Sequence, residues 1–411
     1  MGIKVIEKPD LGPLVSPLRN REIPVHNWYP YKHSYSKDLT AYLIKTLDLP
    51  VGSWVLDPFC GGGTTLLTCK ESGINARGFD ILPFSVFLST VKIQDYDNIK
   101  IAREIAILQN TDIAARYTRN NLPDIPLVNK AFKPDVQKAL LTLKSKIDNI
   151  SDLNTKSFFD LAFLSILESV SNTSKTGGFL RIANRDVYPE AINELFFTKI
   201  NSMLNDVTEN EHRQIVHVNV TAEAGDARKL PTKRKFDAVI TSPPYPNRHD
   251  YTRIYSLEMV FDFVSTNDAL KKIRYETIRS HVEARKKYEA ASYDKPAIVD
   301  NLVAEIRNNG VNNPQVINMI EGYFEDMYLA LAEISRCLKT SGKVFMVISN
   351  VRFSGINIPV DEILAEIGEQ VGLLPREIWA VRYRGNSSQQ MRDYTRKPSR
   401  ESIVIWEKNG N

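Results

Sequence analysis

Two short runs combine residue types that can do chemistry. The first is Asp57-Pro58-Phe59-Cys60-Gly61-Gly62-Gly63-Thr64-Thr65, which follows the apolar run Trp54-Val55-Leu56. The pattern places it at a strand end, opening a helix over 64–71. Its three glycines let the backbone turn tightly and approach a ligand with no Cβ in the way. A helix N-terminus behind them favours a carboxylate or phosphate. The second run is Thr241-Ser242-Pro243-Pro244-Tyr245, directly after the strand-like Phe236-Asp237-Ala238-Val239-Ile240. Two prolines remove two backbone donors and stiffen the turn, which leaves carbonyls free for a ligand. An amino group conjugated to a base ring is a poor nucleophile because its lone pair is delocalised. Acceptors on both of its N–H bonds help it toward a tetrahedral, attacking geometry, and Ser242 Oγ and the Pro243 carbonyl can be those acceptors. Tyr245 offers a flat face for stacking a base. Taken singly, each run also reads as a plain structural turn.

The glycine run excludes two common nucleotide loops. A P-loop needs Gly-Lys-Ser/Thr, and here Gly63 is followed by Thr64. A dinucleotide loop needs G-x-G-x-x-G, and Leu66 breaks that spacing. The remaining common ligand is S-adenosylmethionine, whose methionyl carboxylate could meet the loop. Asp80, at the end of the next strand, can accept both ribose hydroxyls of an adenosine. Gly225-Asp226-Ala227 is a third contact candidate, beside the adenine amino group, although Gly-Asp is also a common turn.

Positioning these residues requires an alternating α/β framework. A helix is expected over 36–47, with Ser36 as N-cap and Leu39, Tyr42, Leu43 and Leu47 on one face. Strand 54–57, helix 64–71 closed by Gly73, and strand 76–80 make a parallel-sheet unit. Helical periods dominate 97–210, for example Val136, Leu140, Leu143, Ile147 and Ile150, and a helix over 158–170 ends in a polar loop over 171–178. Strands are expected over 215–222 and 236–241, then a charged, mostly helical stretch to about 320. An amphipathic helix over 324–338 should stop at Thr340-Ser341-Gly342. A strand over 344–349, a helix over 361–371 and two closing strands, 378–382 and 402–406, complete the chain. The organisation read is 1–95 as the first part of the domain, 96–212 as a helical insertion able to contact a polyanion, and 213–411 as the second part, with its own helical insertion at about 246–320.

Of the 411 residues, 43% are hydrophobic and 25% charged, which excludes disordered and fibrous classes. No apolar run reaches the ~18 residues of a membrane helix. The first ten residues lack the apolar stretch of a signal peptide. The net charge of +4 permits a polyanionic partner without arguing for one. Cys60, Cys69 and Cys337 are scattered, with no CxxC, so a disulfide framework and a cysteine zinc site are not expected, and a cytoplasmic location fits. Six histidines show no HExxH, so no metal site is expected.

At these two runs the chain resembles the amino-methyltransferases of DNA, which modify N4 of cytosine or N6 of adenine using S-adenosylmethionine. Residues 57–65 look like the family's cofactor loop, residues 241–245 like its catalytic motif, and the stretch 26–36, including Tyr31 and Ser34, like the segment that helps hold the cofactor's methionyl end. The resemblance implies a Rossmann-like class I methyltransferase fold: a seven-stranded, mostly parallel sheet with the last strand antiparallel, here carrying helical insertions. It implies Asp57, Pro58, Phe59, Gly61, Gly63, Thr64, Thr65, Asp80 and Asp226 at the cofactor, and Ser242, Pro243, Pro244 and Tyr245 at the amine. Within the family, Ser at the first catalytic position is commoner in cytosine-N4 enzymes and Asp in adenine-N6 enzymes, so Ser242 favours cytosine. A cytosine-C5 enzyme needs a Cys after a Pro; Cys60 follows Phe59 inside the cofactor loop, so that chemistry is rejected.

The resemblance implies double-stranded DNA as partner, with a companion restriction endonuclease as a further expectation. Phosphate contacts need Lys and Arg, and base contacts Arg, Asn and Gln. Arg248, Arg253 and the run Lys271, Lys272, Arg274, Arg279, Arg285, Lys286 and Lys287 are one candidate region, although interspersed acids also mark a solvated helix face. Arg384, Arg392, Arg396, Lys397 and Arg400, with Asn386, Gln389 and Gln390, form a second. Lys175 and Arg181 are a third. The alternatives are an adenine-N6 DNA enzyme, an RNA base amino-methyltransferase, and a cofactor-binding specificity or scaffold subunit without turnover.

Overall fold

The computed structural model describes residues 3–110, 122–183, 185–210, 218–310, 313–385 and 398–410. The elements run β1 (Val5–Glu7), α1 (Lys37–Leu47), β2 (Trp54–Asp57), α2 (Thr64–Glu71), β3 (Asn75–Asp80), α3 (Pro83–Ile93), α4 (Asn98–Asn110), α5 (Pro126–Ala131), α6 (Pro134–Asp148) and α7 (Leu153–Ile166). A hairpin of β4 (Thr173–Thr176) and β5 (Phe179–Ile182) follows, then α8 (Glu190–Asn210), β6 (Val220–Ala224) and β7 (Phe236–Thr241). Next come α9 (Tyr251–Ile254), α10 (Ser256–Asp262), α11 (Asn267–Glu276), α12 (Ala297–Asn308) and α13 (Gln315–Cys337). The chain closes with β8 (Leu338–Ser349), the short pair β9 (Val351–Phe353) and β10 (Ile356–Ile358), α14 (Val360–Gln370), β11 (Leu373–Arg384) and β12 (Ser399–Lys408).

The main sheet has the order β1-β11-β12-β8-β7-β2-β3-β6. Strands β8, β7, β2, β3 and β6 pair in parallel, and β12 runs antiparallel to both β8 and β11. The seven expected strands with their antiparallel last member are therefore present. An eighth, β1, adds in parallel to β11 at the edge; three residues are too short for periodicity to reveal. Among the described residues no helix is long and apolar enough to cross a membrane.

Alternation within the strands splits the core between the two faces of the sheet. Leu56, Val239, Val344 and Met346 pack with α13 and α14 on one face; Val55, Ala238, Ile240 and Phe345 pack with α1 and α2 on the other. Ser36 caps α1 as expected, its Oγ accepting from the Leu39 amide at 3.2 Å. A third apolar cluster joins α3–α8 to α10 and to Trp28, Tyr29 and Tyr31, so the first insertion shares its core with the start of the second, whose α12 packs in the α13 cluster instead. Lys144 of α6 crosses it, paired with Asp160 of α7 at 2.6 Å and Asp262 of α10 at 2.8 Å.

Three local expectations change. The polar stretch 171–178 is not a loop: most of it forms the β4–β5 hairpin around Gly177-Gly178. Thr340-Ser341-Gly342 does not separate a helix from a strand, because α13 ends at Cys337 and β8 begins at once. These residues form a bulge, with Ser341 at φ 60°, between Leu338 and Lys343, which pair with Phe236 and Ala238. The strand expected over 215–222 is Val220–Ala224, and residues 215–217 lie outside the described residues.

Candidate active site

Strands β2 and β7 are neighbours, Val55 opposite Ala238 and Leu56 opposite Val239, and run in parallel. Their C-terminal ends therefore open on the same edge of the sheet, which brings residues 57–65 and 241–245 together. The edge between such strand ends is where open α/β sheets hold ligands. A side-chain bond ties the two turns: Thr241 Oγ1 donates to Asp57 Oδ1 at 2.6 Å. Asp57 is buried and also accepts from the Phe59 amide at 3.2 Å; burial still pushes its carboxyl up to about 6. Thr241→Val leaves this buried carboxylate short of a donor, a loss of roughly 1.5–3 kcal/mol for a hydrogen bond to a charged group. Urea unfolding should show a lower midpoint with an unchanged slope; an unchanged midpoint would mean that the link carries no stability.

The glycine loop is shaped by its neighbours. Gly61 and Gly63 take φ of +47° and +76°, left-handed values that side chains rarely adopt. A Cβ on Gly62 would stand 2.8 Å from Tyr31 Cβ, and one on Gly63 would stand 2.9 Å from Ser89 Oγ. The small residues thus make room for the protein's own Tyr31 and Ser89, where the sequence reading had them make room for a ligand. The segment 26–36 docks on this loop and on the start of α2. Ser34 Oγ lies 2.9 Å from Thr64 Oγ1, and Tyr35 hydroxyl bonds Thr65 Oγ1.

One cleft of about 680 Å³ gathers Tyr31, Pro58, Phe59, Gly61, Asp80, Asp226, Ser242 and Pro244 from the sequence-derived set. Asp57, Gly63, Thr65, Pro243 and Tyr245 are not among its lining residues. Ser34 and Thr64 face a second cavity, whose lining among the described residues also includes Arg21, Lys32, Lys92, Lys199 and Arg384 and no carboxylate. Asp80 accepts from the Gly61 amide at 3.0 Å and the Leu82 amide at 2.9 Å, and burial pushes its carboxyl up to about 6. Phe59, Ile81, Leu82 and Ile278 give the cleft an apolar lining next to that acid. Ser242 Oγ lies 3.2 Å from Tyr245 hydroxyl, and the tyrosine is half-buried. Asp226 reaches the cleft, but its oxygens already accept from the Arg228 amide, Arg228 Nε and guanidinium, and Tyr288 hydroxyl.

Tyr251, between the candidates Arg248 and Arg253, lines the cleft too, and several other cleft residues were not singled out from the sequence: Thr277, Ile278, Ser280 and His281. The last four lie in the stretch read as a solvated charged face. Arg279, read there as a phosphate contact, is instead buried and paired with Asp326 at 2.6 Å and Glu325 at 2.8 Å. Arg274 is bound to Asp250 at 2.8 Å. His33, on the cleft wall, is pushed down to about 3 by burial and then by His249 and Lys32, so its ring is neutral.

The other arginine candidates differ in availability. Arg248 is exposed at φ +69°, its amide bonded to the Ser280 carbonyl. Arg253 is held by Asp250 and Glu283. Arg384 is half-exposed and pairs with Glu401 at 3.0 Å, and Arg400 is bound to Asp361 and Glu362. Asn386, Gln389, Gln390, Arg392, Arg396 and Lys397 lie outside the described residues.

The sheet order, the glycine loop at the end of β2, the acid at the end of β3 and the diproline turn at the end of β7 define a Rossmann-like class I methyltransferase. Comparison with known proteins narrows the class. The family profile described as DNA methylase, of the N6/N4 type, matches residues 17–88. The chain is 31% identical to the Type II methyltransferase M.BsoBI of Geobacillus stearothermophilus, over 96% of this chain and 88% of that one. It is 30% identical to the Type II methyltransferase M.AvaI of Nostoc sp., over 96% and 89%. It is 25% identical to the Type II methyltransferase M.MvaI of Kocuria varians, over 76% and 73%. The chain belongs to the S-adenosylmethionine-dependent DNA amino-methyltransferases. Its cleft suits that cofactor: a half-buried acid beside an apolar wall for an adenosine, with Gly61 of the glycine loop for the amino-acid end.

Proposed function

We propose that this chain methylates the exocyclic N4 amino group of cytosine in duplex DNA. The observation that carries the reading is the Ser242-Pro243-Pro244-Tyr245 turn, whose Ser242 and Pro244 line the same cleft as Asp80 and Gly61. Serine at the first position of the turn favours cytosine over adenine by the family resemblance.

Asp80 takes the ribose hydroxyls and Gly61 the methionyl end, with Tyr31, Pro58 and Phe59 as walls. Gly63, Thr64, Thr65, Ser34 and Asp57 fix the loop from behind. Asp226 shapes the adenine side through its anchored turn, since its carboxylate is taken up by Arg228 and Tyr288. When bound, the cofactor supplies an electrophilic methyl on sulfonium. Ser242 Oγ and the Pro243 carbonyl accept the two amine hydrogens and aim the nitrogen lone pair along the line of attack. The new N–C bond forms as the S–C bond breaks, and the amine proton leaves to solvent; no covalent enzyme intermediate is required. Tyr245 supports the extruded base, whose unstacking costs a few kcal/mol. Arg248 and Arg384 meet the duplex backbone, with Arg384 at the rim of the basic cavity. The helical insertion read over 96–212 would add further contacts to the DNA. Digestion of DNA methylated by the purified chain into nucleosides tests the reading: N4-methylcytosine supports it, and N6-methyladenine alone overturns the base assignment.

A further inference from the structure

The β4–β5 hairpin leaves the helical insertion and packs beside the active-site turn. Its two faces differ sharply. Lys175 and Leu180, an opposed pair, are buried. Lys175 Nζ donates to Tyr29 hydroxyl at 2.7 Å and to Glu258, which is fully buried. Tyr255, which lies under the same ammonium, stacks on Tyr31 of the cleft wall with ring centroids 4.7 Å apart. The hairpin tip is equally close to the site. A Cβ on Gly178 would stand 2.4 Å from His249 Cδ2, and the Asp250 amide donates to the Gly178 carbonyl at 3.4 Å. His249 in turn lies edge-on to His33 of the cleft.

The outer face carries Phe179 and Arg181, two positions apart and so on one side of the strand. Phe179 is 52% exposed, the one phenylalanine among the exposed large apolar side chains of the described residues, and Arg181 has no acidic partner among them. A rigidly anchored hairpin that shows an aromatic ring and a free cation to solvent at the mouth of a base-modifying site matches one surface: the duplex around the target. A two-stranded ribbon fits the major groove, and apolar side chains can wedge between base steps.

We propose that the outer face of the β4–β5 hairpin enters the DNA groove beside the target, with Phe179 filling the space left by the extruded base and Arg181 contacting an adjoining phosphate. This rests on the DNA amino-methylation reading above. The test measures affinity as well as transfer, using one duplex with the target base paired and one with it mismatched, so that flipping is partly prepaid. F179A should lose about tenfold or more in affinity for the paired duplex and several-fold less for the mismatched one. R181A should reduce the slope of log affinity against log salt by about 1. Cofactor affinity, measured alongside, reports that both variants are folded. Equal loss on both duplexes, no loss for F179A, or an unchanged slope for R181A overturns the proposal. Wild-type protein that binds both duplexes but methylates neither would count against the reading above, while the affinity comparison still decides the hairpin.

Discussion

Tyr245→Ala should lower kcat by roughly 10- to 2000-fold while leaving cofactor affinity within about threefold. Base–aromatic stacking is worth about 1–3 kcal/mol, and losing the hydrogen bond to Ser242 adds about 0.5–1.5 kcal/mol. Together about 1.5–4.5 kcal/mol in the barrier corresponds to that range of rates. Tyr245 is not among the residues that line the cleft with Asp80 and Gly61, which is why cofactor affinity is spared. Tyr245→Phe separates the two contributions. It keeps the platform and removes only the hydroxyl, so its loss should be about 2- to 12-fold. Single-turnover rates with calorimetric cofactor titrations check both variants. Parallel loss of cofactor binding in the alanine variant would show that Tyr245 shapes the cofactor site and is not a base platform.

Asp80→Ala should raise the dissociation constant of the cofactor by about 150-fold or more. Two hydrogen bonds to a charged acceptor contribute about 1.5–3 kcal/mol each, and every 1.4 kcal/mol is about tenfold. The variant also frees the Gly61 and Leu82 amides that Asp80 now holds. The wild type carries a matching pH signature. Burial raises the folded Asp80 carboxyl to about 6, so cofactor affinity, which uses the ionised form, should fall as pH drops through 6 and level off above about 7. Folding stability runs the opposite way. The unfolded carboxyl ionises near 4 while the folded one keeps its proton, so between about 4 and 6 the native state binds more protons and stability falls as pH rises. Asp57, also raised to about 6, adds to that trend. Calorimetric titrations from pH 5 to 8 check the binding arm, and Asp80→Asn should flatten it. A profile unchanged by that substitution would take Asp80 out of the ribose contact.

The legible parts of the site are those whose local residue types force a backbone shape. Glycines at left-handed positions and two successive prolines mark their turns without help from the rest of the chain, and the parallel β2–β7 pairing then brings them together. The cleft wall at Thr277–His281 was hidden because its flanking arginines are charged in sequence and neutralised only in space, by Asp326, Glu325 and Asp250. The β4–β5 hairpin was hidden for a related reason. Its inward face buries a lysine, which no hydrophobic pattern predicts, and the lysine's partners Tyr29 and Glu258 come from distant parts of the chain. Asp226 shows the opposite error: its place beside the cleft was legible, but the neighbours that occupy its oxygens were not.

The central claim is that a methyl passes from a donor held by the glycine loop to an amine held by the diproline turn. Incubating the purified chain with duplex DNA and cofactor bearing a deuterated methyl, then weighing the released nucleosides, tests it most directly. The proposed function predicts a deoxycytidine carrying one trideuteromethyl group on its amino nitrogen. Label on the cytosine ring carbon, on adenine, or on no base at all would contradict the account.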